Sequence, residues 1–179
     1  LNDLNIFEKA LDSDLFIVFG SSFIKGKLID ELLKRRSINI HMGLSPFYRG
    51  SSCNFWAAYE ENFHLIGSTI HLLSKGLDSG DILYHALPTF KNCNNAFDFS
   101  MKSVLAAHES LISKIKDETI YNYIPIKQDK TLEKKYTRNS EFDDFHANEF
   151  LKRNITINHI KDILNKKRDD NFLIRPFFY

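Results

Sequence analysis

Asn39-Ile40-His41-Met42-Gly43-Leu44-Ser45-Pro46-Phe47-Tyr48-Arg49-Gly50 decides how the rest of this chain is to be read. It opens as a β-run and breaks into a loop at Gly43 and Pro46, which puts Asn39 and His41 at the end of a strand. Side chains two apart on a strand point to the same side, so an amide and an imidazole share one face beside a loop. Downstream, Gly76-Leu77-Asp78-Ser79-Gly80 sets Asp78 in a tight turn between two apolar runs, Ser68 to Leu73 and Ile82 to Leu87. An amide, an imidazole and a carboxylate are thereby expected to converge.

Working outward, Leu15-Phe16-Ile17-Val18-Phe19 is continuously apolar and reads as a strand buried on both faces. Gly20-Ser21-Ser22 turns the chain, and Lys25 to Arg36 carries Leu28, Ile29, Leu32 and Leu33 as one helical stripe. Strand, helix and strand in this order make a βαβ unit. Ligands in such sheets sit at the carboxyl ends of the strands, which makes Gly20 to Ile24 and Asn39 to Gly50 neighbours across one cleft. Ser51 or Ser52 is placed to cap a helix from Cys53 to Glu61, and Asn94 or Asn95 a long helix from Ala96 to about Lys116. In the latter, Phe97, Met101, Val104, Leu105, His108, Leu111, Ile112 and Ile115 form the expected packing face.

At the ends, Leu4 to Leu11 has helical spacing, and the chain begins as if in the middle of a sheet. Beyond Thr119 the pattern thins: Tyr121 to Lys127 reads as extended, Ser140 or Asp143 opens a helix through about Leu151, and Asn158 opens another that ends in the basic run Lys166-Lys167-Arg168. Phe172 to Tyr179 is apolar enough to pack back. The reading divides the chain into residues 1–125, a catalytic unit, and residues 126–179, a helical extension packed on it.

The ordered set Asn39-x-His41, Ser45-Pro46, Arg49-Gly50, Gly67-x-Thr69-x-His71 and Asp78-Ser79-Gly80 resembles the formyltransferase family, which includes the glycinamide ribonucleotide, methionyl-tRNA and sugar-amine formyltransferases. The resemblance implies an α/β fold, a Rossmann-like mostly parallel sheet of the formyltransferase type with its first strands missing. It implies 10-formyltetrahydrofolate as formyl donor and a small-molecule amine as acceptor, possibly a nucleotide-linked amino sugar. Catalytic roles fall on Asn39, His41 and Asp78: a non-titrating donor for the oxyanion, a group that donates to it or shuttles a proton, and a carboxylate that tunes His41 or accepts the amine's proton. The pterin pocket falls on Phe23, Ile24, His71, Lys75, Gly76 and Leu77, and acceptor contacts on Tyr48 and Arg49. After His41 the chain departs from the usual family pattern, reading Met42-Gly43-Leu44-Ser45-Pro46 where a His-Pro-Ser variant is common.

Each of these residues has a plainer reading: Asn39 as a turn former, His41 and His71 as satisfied strand histidines, Asp78 as an ordinary turn residue, Phe23 and Ile24 as core, and Tyr48 and Arg49 as loop surface. Two other functions stay open for the same trio, a hydrolase that passes the formyl group to water and a non-catalytic module that keeps the fold. Charge is balanced, 24 Lys and Arg against 23 Asp and Glu in 179 residues, which argues against a general nucleic-acid or anionic-membrane binder. No apolar run is long enough to span a bilayer, and Cys53 and Cys93 lack metal-site spacing, so the expectation is a cytoplasmic protein with reduced thiols and no metal. Open apolar strand edges would favour a homo-oligomer.

Overall fold

The computed structural model describes residues 12–167 and 171–179. The helix expected over Leu4 to Leu11 and the end of the basic run, Arg168, lie outside those residues. Strand β1 (Ile17–Phe19), helix α1 (Gly26–Lys34) and strand β2 (Ile38–His41) form the βαβ unit, with β1 and β2 parallel. Strands β3 (Tyr48–Gly50), β4 (Ser68–Leu72) and β5 (Ile82–Leu87) follow, with helix α2 (Cys53–Tyr59) between the first two. Helix α3 (Ala96–Lys116) is followed by β6 (Lys135–Thr137), α4 (Asp144–Lys152), α5 (Ile157–Lys167) and β7 (Phe177–Phe178).

The main sheet has the order β1-β2-β4-β5-β7, and β3 pairs with β6 beside it. Three of the five ladders are parallel (β1 with β2, β3 with β6, β5 with β7), and the central β2-β4-β5 portion is antiparallel. This is an α/β sheet of Rossmann-like character with a hairpin built into its middle. The β2–β4 register sets Asn39 opposite His71 and His41 opposite Thr69. The β4–β5 register skips from Tyr84 opposite Ile70 to Ile82 opposite His71, which leaves Leu83 as an extra residue on β5, the two-against-one count of a β-bulge.

Two cores flank the sheet. One packs Ile38, Ile40, Ile70 and Tyr84 against Ala106, Ala107 and Leu111 of α3. The other gathers Leu44, Phe47, Tyr48, Trp56 and Phe63 with Ile160 and Leu164 of α5. Helix α3 spans the expected residues and is capped by Asn95, whose side chain accepts from the Asp98 N–H, but it buries a different face. Its small residues, Ala96, Ser103, Ala106, Ala107 and Ser110, face inward together with Phe99, Val104 and Leu111. Phe97, Met101, Leu105 and Ile112 are exposed. Small side chains let a helix approach a sheet bearing bulky Ile70 and Tyr84, so close packing here outweighs the larger apolar stripe.

The expected strand at Leu15 to Phe19 is shorter and lies at the sheet edge of the described residues, with Ile17 and Phe19 exposed rather than buried on both faces. Ser52 stands at the start of α2 without a capping bond, in a left-handed conformation. The Thr156 hydroxyl, rather than Asn158, accepts from the first turn of α5 at 3.2 Å. Asp143 caps α4, and Phe172 stacks edge-on against Phe47.

His85 ties the last segment to the loop that follows β2. It is fully buried; its Nε2–H donates to the Ser45 carbonyl at 3.1 Å, and its Nδ1 accepts the Ile174 N–H at 3.1 Å. That pattern requires a neutral ring, because a proton on Nδ1 would meet the Ile174 N–H. Burial pulls its pKa down to about 4, against the Ser45 carbonyl's upward pull. The unfolded chain therefore binds a proton that the folded one does not, and stability falls as pH drops from about 6.5 toward 4. Denaturant unfolding at pH 7 and 4.5 should show a loss of about 2 kcal/mol that His85→Gln, which keeps a donor and an acceptor without titrating, largely removes. An equal loss in both proteins would show that His85 is not its source.

Candidate active site

The hairpin brings the three polar groups together. Asn39 and His41 project from the end of β2, His71 stands across from Asn39 on β4, and the β4–β5 loop carries Asp78 over them. His41 Nδ1 lies 3.3 Å from Asp78 Oδ1, and the Asn39 carboxamide nitrogen donates to the same oxygen at 3.4 Å. The Gly50 N–H donates to Asp78 Oδ2 at 3.2 Å. His71 closes the group: its Nδ1–H donates to the Leu72 carbonyl at 2.7 Å, which leaves Nε2 to accept from Asn39 at 3.0 Å. The ring thus fixes which way the Asn39 amide points.

His41 has an acceptor at each nitrogen, the Tyr48 carbonyl 3.0 Å from Nε2 and Asp78 at Nδ1. Both are satisfied only when the ring carries two protons with Asp78 as counterion. Burial works against that charge and lowers the His41 pKa; Asp78 and the Tyr48 carbonyl oppose the shift without cancelling it. The Nδ1 proton is therefore held loosely. Burial pushes the Asp78 carboxyl upward, but the charge of His41, the neighbouring His71 ring and the Gly50 N–H outweigh it, leaving its pKa below the usual carboxylate range. A weakly held imidazolium proton beside a firmly ionised carboxylate is suited to moving protons at a reacting centre.

These groups open onto a cleft of about 960 Å³ at the carboxyl ends of β1 and β2, a volume sufficient for a drug-sized ligand. Phe23, Ile24, Gly76, Leu77 and His71 line it, as expected of pocket residues, together with Phe97 and Met101 of α3 and Phe142 and Leu151 from the later segment. The outward face of α3 thus forms a cleft wall.

Three residues assigned to ligand contact have their side chains engaged by the protein itself. Tyr48 is buried, its hydroxyl donating to Glu60 at 2.7 Å and accepting from Asn62 at 2.8 Å, so the ring belongs to the core and only its carbonyl serves the site. Arg49 turns away from the cleft, bonding Glu133 at 2.6 Å and the Leu77 carbonyl at 2.7 Å. The Lys75 ammonium pairs with Asp30 of α1 at 2.8 Å. Two contributors escaped the sequence reading: the Gly50 amide and Gln128, whose side chain donates to the Asp78 and Gly80 carbonyls. The first was signalled only by a glycine after Arg49, and the second by nothing local.

Residues 5–115 match the formyl transferase family model. The chain belongs to this family. A methionyl-tRNA formyltransferase of Trichormus variabilis is 28% identical over 121 residues, which cover 68% of this chain and 36% of that protein. The chain spans less than half the length of the curated relatives it matches. Among solved structures, the formyltransferase PseJ from Anoxybacillus kamchatkensis, determined with UDP-4,6-dideoxy-4-formamido-L-AltNAc and tetrahydrofolate, superposes with a TM-score of 0.59 at 20% identity, over 73% of this chain and 67% of that one. A 4-N formyltransferase from Francisella tularensis gives 0.59 at 22% identity, over 98% and 70%. At these identities the structural likeness speaks for the formyltransferase fold.

Gly43 packs where a Cβ would come within 2.5 Å of both His41 Nε2 and Cys53 Cβ. Gly43→Ala should therefore push the imidazole off the Tyr48 carbonyl while the sheet stays folded. Nitrogen-15 spectra of the histidine rings would show a displaced His41; ring signals matching the wild type would contradict the placement.

Proposed function

We propose that this chain forms the active site of a folate-dependent formyltransferase that moves a formyl group from 10-formyltetrahydrofolate to a small-molecule amine. The observation that carries the reading is the convergence of Asn39, His41 and Asp78 within hydrogen-bonding reach on the wall of one cleft, in a chain of the formyl transferase family. The cleft fits a reduced folate: Phe23, Ile24 and Leu77 offer apolar cover, and the main chain at Ser74 to Asp78 offers groups to read a pterin's donors and acceptors. Bound there, the folate supplies an activated formyl group on a nitrogen.

In this reading Asn39 exchanges its long 3.4 Å bond to Asp78 for the formyl oxygen as that oxygen gains negative charge, which an amide does without titrating. Asp78 receives the proton that the attacking amine gives up as its new bond to carbon forms. His41, loosely protonated at Nδ1 against Asp78, passes a proton toward the nitrogen that leaves as the old bond breaks. Asp78 then hands the amine's proton to His41 Nδ1 across their 3.3 Å contact, so the pair ends as it began. His71 keeps the Asn39 amide aimed.

For the acceptor we propose an amino sugar carried on a nucleotide. Sugar-amine formyltransferases among the structural neighbours support this choice. Asp78→Asn should lower amine-dependent release of tetrahydrofolate by about 10² to 10⁴ while a stable formylfolate analogue still binds. Wild-type turnover in that variant would remove Asp78 from the mechanism, and release that is independent of amine would replace transfer with hydrolysis.

A further inference from the structure

The backbone of Asp78 is left-handed, with φ of 45°, a conformation that a non-glycine residue keeps only where its surroundings over-determine it. Much of what holds it comes from beyond residue 115, where the family match ends. Gln128 is buried, and its single carboxamide nitrogen donates to the Asp78 carbonyl at 2.9 Å and to the Gly80 carbonyl at 2.7 Å. Its two N–H bonds are thus spent on two carbonyls that flank Ser79. Leu77, just before, gives its carbonyl to Arg49, whose guanidinium is held by Glu133. Carbonyls at 77, 78 and 80 are therefore gripped from outside the loop, by a pair of anchors five residues apart in sequence or by a group one of them holds.

The segment bearing these anchors is fixed in turn. Ile126 exchanges two main-chain hydrogen bonds with Ile82, at 2.7 and 2.9 Å, and the Lys134 and Lys135 amides donate to the Phe47 carbonyl at 2.8 and 3.1 Å. β6 then pairs with β3, placing Thr137 against Gly50, whose amide holds the other oxygen of Asp78. One later stretch thus meets the carboxylate's supports on both sides.

We infer that Gln128 is a positioning residue for formyl transfer: its bridge across the Asp78 and Gly80 carbonyls holds the Asp78 backbone in the left-handed form that turns the carboxylate onto His41. The inference rests on the reading of Asp78 as the proton acceptor. Without the bridge, the carbonyls of half-buried Asp78 and buried Gly80 lose their donors, and the Asp78 backbone can relax to negative φ. That relaxation carries the carboxylate away from His41.

The test is Gln128→Met, which keeps side-chain length without a donor. The charged and polar groups facing the His41 ring are Asp78, His71, Arg49 and the Tyr48 carbonyl, and of these Asp78 is the one that the bridge controls most directly. Withdrawal of Asp78 removes the charge that holds a proton on His41, so the His41 titration midpoint followed by NMR should fall below its wild-type value. Turnover should fall about 10- to 100-fold, the range expected when a reacting group shifts by about 1 Å. A folded variant whose His41 midpoint is unchanged or raised would overturn the inference. Should the variant not fold, the wild-type protein decides: contacts from both Gln128 amide protons to residues 78–80 uphold the bridge, and their absence overturns it. The titration needs no substrate, so a protein without transfer activity would refute the formyltransferase reading and leave the positioning question answerable.

Discussion

A carboxylate placed almost out of reach of water is the constraint on which this structure turns. Asp78 keeps its charge in a site where burial alone would raise its pKa, because His41, the Asn39 amide and the Gly50 N–H face its two oxygens. Removing one such partner from a buried charge leaves an uncompensated group, an outcome far more expensive than the loss of a surface pair. Every element that delivers a donor is thereby under geometric control. β2 must end at His41, β4 must pair with β2 in a register that sets His71 across from Asn39, and the β4–β5 loop must fold back over both.

That fold-back depends on a close approach. A Cβ at Gly80 would run into the Leu72 carbonyl, so the loop can return beside β4 only because residue 80 has no side chain. The Leu72 amide bonds the Asp81 carbonyl at 2.9 Å, and the Leu73 amide bonds the Ser37 carbonyl at 2.7 Å, which closes the base of the loop. The β2–β4 register is regular here and sets His71 directly across from Asn39, whose amide bonds its ring. Here the antiparallel hairpin inserted into an otherwise parallel sheet matters geometrically: a parallel crossover needs a dozen or more residues and could not return a carboxylate to the strand end so soon.

What could be read from the sequence follows the range of the interactions concerned. Alternation in Asn39-x-His41 and a turn around Asp78 are local facts, and the structure keeps both, as it keeps the spans of α1, β5 and α3. The orientation of α3 was not readable, since its apolar spacing fits two faces and the choice depends on how near the sheet allows the helix to come. Tyr48 and Arg49 were misread for a related reason. An aromatic and a cation in a loop beside a catalytic strand look like ligand contacts, yet Glu60, Asn62 and Glu133, distant in sequence, claim them for the frame. The role of Gln128 was invisible because nothing in Lys127-Gln128-Asp129 announces two carbonyls some fifty residues upstream.

These misreadings share a physical content. The polar groups that converge in the candidate site are few and lie on short, regular pieces whose periodicity shows in sequence; the groups that hold them still are polar side chains satisfied by backbone atoms from elsewhere. Arg49 shows how the second kind is chosen. Its guanidinium is planar and presents donors in a fixed fork, so it can hold the Leu77 carbonyl and Glu133 at once, where a lysine would act as a single point charge. A residue type well suited to gripping a phosphate is equally suited to gripping a loop, and the neighbouring carbonyls and carboxylates decide which it does. In this chain they decide for the loop, and the cation that the sequence offers to a ligand instead steadies the backbone beneath Asp78.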